Sequence, residues 1–169
     1  MMEAIQLVGR YLKTPVGAVG YNSEKILTAV LQNLNVEGFA NIILQLAKNS
    51  NTVLSQDQIL LSYQWLEHFA MYSNQAVINT SFARNFLEGI NKALEKQTYL
   101  TGNHLTITDI AAYHVLYPLI GNLTVSEQES LLNVCRWFKH IQAQPRVCEN
   151  RPPLPLNTLT LSLLAPAVH

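Results

Sequence analysis

Tyr99-Leu100-Thr101-Gly102-Asn103-His104-Leu105-Thr106-Ile107-Thr108-Asp109-Ile110 is the stretch that decides the fold. Thr106 stands three residues before Asp109, the spacing at which a hydroxyl and a carboxylate can each satisfy a backbone N–H left without a partner at a helix start. Leu105 and Ile110 flank the pair as a hydrophobic staple, and the Asp109 charge favours the positive end of the helix dipole. Losing such a cap costs about 1 to 2 kcal/mol. Asp109 is therefore read as a cap and not as a catalytic acid.

Upstream, residues 55–58 (Ser55-Gln56-Asp57-Gln58) repeat the capping box and open a helix to about residue 72, with Ile59, Ser62 or Tyr63, Leu66 and Phe69 as its stripe, Trp65 alongside and Gln64, Glu67 and His68 outward. A second helix over 80–96 buries Phe82, Phe86, Leu87, Ile90 and Leu94. Downstream, Pro118 is expected to end or kink the central helix, Thr124-Val125-Ser126-Glu127 caps a short one, and Asn133 caps the next. That helix carries Val134, Trp137, Phe138 and Ile141 inward and stops at Pro145.

The first fifty residues read differently. Residues 3–12 form a short amphipathic helix stopped by Thr14-Pro15, residues 17–21 and 26–32 read as strands, Asn33-Leu34-Asn35 as a turn, and residues 37–48 as a helix. The polar break at 49–52 marks a boundary. The expected organisation is an N-terminal half over 1–52, a helical domain over 53–150, and a Pro/Leu-rich tail over 151–169. In the tail, Arg151-Pro152-Pro153-Leu154-Pro155 resembles a polyproline ligand; Leu159, Leu161 and Leu163 laid in a groove, or a disordered end, are competing readings.

Composition narrows the function. Of 169 residues, 49% are hydrophobic, and eleven basic side chains balance eleven acidic ones with no basic run, which speaks against direct nucleic-acid binding. Only 13% are charged, so the surface leans on uncharged polar groups and suits protein partners. Residues 1–12 lack a signal-peptide pattern and no apolar run is long enough to span a membrane, so a cytoplasmic chain with no membrane contact is expected. Cys135 and Cys148 read as plain thiols, and the five histidines show no metal-ligand spacing. No cofactor or metal is expected.

The segment 99–110, followed by Asn133, Arg136-Trp137-Phe138, Ile141 and Pro145, resembles the C-terminal helical domain of the glutathione-transferase superfamily. Within it, Val134-Cys135-Arg136-Trp137-Phe138-Lys139-His140-Ile141-Gln142, Leu123-Thr124-Val125 and Gln64-Trp65-Leu66-Glu67 are similar to the elongation factor 1 epsilon family, small auxiliary subunits of the multi-tRNA synthetase complex. The likeness runs from about residue 26 to 145 and leaves out the tail. It implies an α+β, mostly helical, glutathione-transferase-like fold whose N-terminal half is a shortened thioredoxin-like unit.

The same resemblance bears on chemistry. A transferase needs a Tyr, Ser or Cys after its first strand, a cis-proline ahead of the strand that contacts glutathione, and an acidic or amide residue followed by serine at the next helix. Here a helix comes first, Ala29 takes the proline's place, and Glu37-Gly38 stands where the serine is needed. The expectation is a non-catalytic scaffold, with a divergent glutathione transferase as the alternative. The resemblance further implies docking of methionyl-tRNA synthetase through the N-terminal half and of glutamyl-prolyl-tRNA synthetase through the Arg-Trp helix. It also implies nuclear entry and a role in DNA-damage signalling. Self-association of the isolated chain stays open.

For partner contact the candidates are Arg136 and His140 on the Arg-Trp helix and Leu34, Asn35 and Val36 ahead of the second helix; Ser55, Thr106, Asp109 and Thr124 are structural caps. A solvated arginine is the competing reading of Arg136. Phe39, Ile42 and Ile43 are read as packing inward, and Trp65 and Trp137 as core.

Overall fold

The computed structural model describes residues 1–148 and 151–156. Helix α1 (Met2–Leu12) is followed by strands β1 (Val19–Tyr21), β2 (Leu27–Leu31) and β3 (Leu34–Glu37), then by helices α2 (Phe39–Asn49), α3 (Gln56–Ile78), α4 (Thr80–Ala93), α5 (Ile107–Gly121), α6 (Val125–Ser130) and α7 (Leu132–Gln142). The strands form one antiparallel sheet in the order β1-β2-β3. Leu27, Ala29 and Leu31 alternate inward from β2 while Thr28 and Val30 point away, the period of a half-buried strand. This mostly helical α+β architecture is glutathione-transferase-like.

The sheet has one strand more than the sequence pattern suggested. Residues 33–35 are not the turn; Gln32 and Asn33 are, with φ of 48° and 65°. Two successive residues in the left-handed region make the tight connection whose twist matches paired strands, and Leu34 then pairs back with Leu31. A four-residue strand with an asparagine in it carries too little alternation to be read locally.

α3 also outruns its expected end at residue 72. Ser73 and Ala76 bury on the same stripe as Ser62, Leu66 and Phe69, and Asn79 both ends α3 and caps α4 by accepting from Phe82 N (3.0 Å). Ile59 and Tyr63, expected on that stripe, are exposed. His68 is not outward: its ring stacks on Phe86 with centroids 5.3 Å apart, inside a cluster with Trp65, Phe69 and Tyr72. Burial lowers its pKa.

α5 is buried on nearly every side and runs through Pro118 for three more residues. One apolar core extends from Ala4 and Ile5 in α1, through Leu31 and Ile42, to Phe138, Ile141 and Leu156. Phe39, Ile42 and Ile43 are inside it as expected.

At the centre lies Asp109. Its Oδ1 accepts from Leu100 N and Trp137 Nε1, both at 2.9 Å, and its Oδ2 from Thr106 N (3.0 Å) and Thr106 Oγ1 (3.2 Å). Burial pushes its pKa up, and these four donors, each favouring the charged form, oppose that rise. The cap is thus also the joint between the turn at 99–102, α5 and α7. The Ser55 and Thr124 boxes form as spaced. Asn133 does not cap α7: Asn91 of α4 reaches across, its Oδ1 accepting from Asn133 N (2.9 Å) and Val134 N (3.1 Å).

Candidate functional site

One edge of β2 is taken by β1. β1 pairs with β2 in the register Val19 to Ala29 and Gly20 to Thr28. Just before β1, Gly17 N donates to Val30 O (2.9 Å) and Val30 N to Ala18 O (3.0 Å). A Cβ on Gly17 would lie 2.8 Å from that oxygen, so only glycine lets the chain approach so closely. There is no cis peptide bond among the described residues, and Ala29 lies within β2, paired with Val19. Gly38, where a transferase has serine, adopts φ 85°, a conformation L side chains rarely take.

Two exposed surfaces hold the candidate partner residues. On the N-terminal half, Leu34 is 61% exposed on the outer strand of the sheet. Beside it, Asn35 and Val36 line an open groove of about 730 Å³ with Lys48, Val53, Leu54 and Ile59. Val53 is 92% exposed, so the groove has an apolar lip. Sequence reasoning named Leu34, Asn35 and Val36 but not Val53 or Ile59, which reach the groove only through the turn into α3.

On the second surface, Arg136 and His140 lie one turn apart on the exposed side of α7. Neither is idle. Arg136 Nη2 donates to Leu94 O (2.8 Å) and Gln97 O (3.2 Å), satisfying carbonyls where α4 ends. His140 Nε2 is hydrogen bonded to Tyr99 OH (2.9 Å). Both residues therefore hold the rim of the helical domain while presenting a polar face. α7 packs chiefly on α4, α5 and α6, and β3 on β2 and α2, so the two surfaces belong to separate parts of the fold.

Elsewhere, no group of His, Cys, Asp and Glu among the described residues is arranged to hold a metal ion. No helix among them is long and apolar enough to cross a membrane. Both cysteines are free, and burial pushes the Cys135 thiol up to about 11, which keeps it protonated and unreactive.

A reduced sheet followed by an all-helical second half defines a glutathione-transferase-like domain. Comparison with known proteins agrees. The family model described as nuclear-export cofactor Arc1p matches residues 61–145. Human eukaryotic translation elongation factor 1 epsilon-1 is 35% identical over 129 residues, covering 70% of this chain and 71% of that protein. A bifunctional glutamate/proline–tRNA ligase of Cricetulus griseus is 25% identical over 142 residues, which is 82% of this chain and 9% of the ligase. Among solved structures, a glutathione transferase of Streptococcus pneumoniae complexed with glutathione aligns with a TM-score of 0.53 at 22% identity, covering 72% of this chain and 58% of that one. The chain belongs to the family that this model describes and is related at 35% identity to elongation factor 1 epsilon-1.

Proposed function

We propose that this protein is a non-catalytic docking subunit that holds aminoacyl-tRNA synthetases together by pairing glutathione-transferase-like domains. The observation that carries the reading is the likeness of most of this chain both to elongation factor 1 epsilon-1 and to a stretch of a glutamate/proline–tRNA ligase. Ala29 stands where the resemblance expects a cis-proline and Gly38 where it expects a serine hydroxyl, so two groups of a glutathione site are missing. Transition-state stabilisation depends on donors placed to fractions of an ångström, so a partial site gives little rate. What the fold still offers is surface.

The partners follow from the same likeness. A glutamate/proline–tRNA ligase contains a stretch similar to most of this chain, which supports pairing between two domains of one kind. In this reading methionyl-tRNA synthetase docks on the groove beside Leu34, Asn35 and Val36, and glutamyl-prolyl-tRNA synthetase on the α7 face of Arg136 and His140. Balanced charge gives tRNA no basic track of its own on this chain.

The test is affinity capture from cytosol on the immobilised full chain, beside glutathione resin and a chlorodinitrobenzene turnover assay. The expected result is capture of both synthetases, no retention on glutathione and no turnover. Retention and turnover without any synthetase would make the chain a divergent transferase.

A further inference from the structure

Residues 151–156 are held on the body by contacts that together read a peptide. Pro118 has no N–H, so the carbonyl four residues earlier, that of His114, lacks its helical partner. Arg151 supplies one: its Nη1 donates to His114 O at 3.0 Å. The same guanidinium pairs through Nη2 with Glu3 Oε2 of α1 (2.6 Å) and lies over the Tyr117 ring, 4.8 Å from its centroid. Tyr117 OH then donates to Pro152 O (2.8 Å).

Further along, Gln142 of α7 reads one residue's backbone in both directions. Its Oε1 accepts from Leu154 N and its Nε2 donates to Leu154 O, each at 3.0 Å. Leu156 is buried to 2% exposure, while Pro152, Pro153 and Pro155 face solvent. The prolines preset an extended backbone, so little conformational freedom is lost when the segment seats. A charged head at Arg151, a backbone clamp at Leu154 and an apolar anchor at Leu156 are the parts of a peptide-recognition groove.

We propose that the groove between α1, α5 and α7 is a binding site for an arginine-headed, proline-rich peptide of the pattern Arg-Pro-Pro-Leu-Pro-Leu, occupied in cis by residues 151–156. A partner polypeptide carrying such a segment takes the groove when this strap is displaced. The occupant is argued from what the groove already holds: a planar guanidinium that meets the His114 carbonyl, Glu3 and the Tyr117 ring together, and a buried leucine at position 156. Charge supports the head position, because the guanidinium pairs with the carboxylate of Glu3.

The test uses the full chain and a fluorescein-labelled peptide with the sequence of residues 151–156, read by anisotropy. The strap variant combines Arg151→Ser with Leu156→Ser and leaves the groove residues in place. Because a tethered strap competes at millimolar effective concentration, the strap variant is expected to bind the peptide at least about tenfold more tightly than the unmodified chain. Adding Gln142→Ala to the strap variant, or replacing the peptide's arginine by serine, is expected to weaken binding several-fold. Equal binding by both chains, no binding by a strap variant that keeps its helical circular dichroism, or indifference to Gln142→Ala would overturn the proposal. If the strap variant loses its helical signal, amide exchange in the unmodified chain decides. Leu154 N–H opening ahead of α5 and α7 supports a displaceable strap, and exchange only with global unfolding overturns it.

Discussion

Asp109 accepts four hydrogen bonds from three separate stretches of chain, so its removal orphans donors as well as leaving a void. Asp109→Ala is expected to lower unfolding stability by about 3 kcal/mol or more, against about 1 for an ordinary surface cap; urea denaturation checks it, and a loss under about 1 would contradict the hub. His114 makes a pH prediction. Burial first, then the nearby Arg151 charge, push its pKa down to about 4 from 6.5, with Glu3 opposing. The unfolded chain therefore binds this proton before the folded one does. Stability is full above about pH 6.5 and falls as pH drops toward about 4, by up to about 3 kcal/mol from this group. In His114→Gln the slope of stability against pH across that window should flatten. Of these residues, the Asp109 cap was readable because its signal spans four positions. Its bond to Trp137, 28 residues away, had no local trace, and neither did the joining of His114 to Arg151.

Elements follow the same division between local and distant causes. Three capping boxes appear where their spacing puts them, since a cap is written within four residues. The start of α7 is not legible at Asn133 because the side chain that satisfies its N–H is Asn91, 42 residues earlier in the chain. α5 continues past Pro118 because Arg151, far along the sequence, takes the carbonyl that proline strands. The β2–β3 hairpin turns on Gln32 and Asn33, both in a conformation that non-glycine residues adopt at a cost. Gln32→Asn combined with Asn33→Gly, the pairing such turns favour, is expected to raise stability by about 0.5 to 1 kcal/mol. Thermal unfolding followed at the far-ultraviolet helix signal measures it; a fall in midpoint would mean the turn is not of this type.

For the whole molecule, the fold class was readable because the helical half announces itself in the run from Tyr99 to Ile110 and its Arg-Trp helix. The N-terminal half was readable only in outline, since β1 and β3 are short and gain their meaning by pairing with β2. Partner choice is written in exposed side chains, and exposure alone does not name a partner. The most direct test mixes the full chain with methionyl- and glutamyl-prolyl-tRNA synthetases and weighs the assemblies by light scattering, comparing unmodified protein with Leu34→Asp, Arg136→Ala and His140→Asp. The account predicts a ternary assembly for the unmodified chain, loss of the methionyl enzyme alone with Leu34→Asp, and loss of the glutamyl-prolyl enzyme alone with either α7 variant. Failure of the unmodified chain to join either synthetase, or loss of both partners from one surface substitution in a chain that keeps its fold, would contradict it.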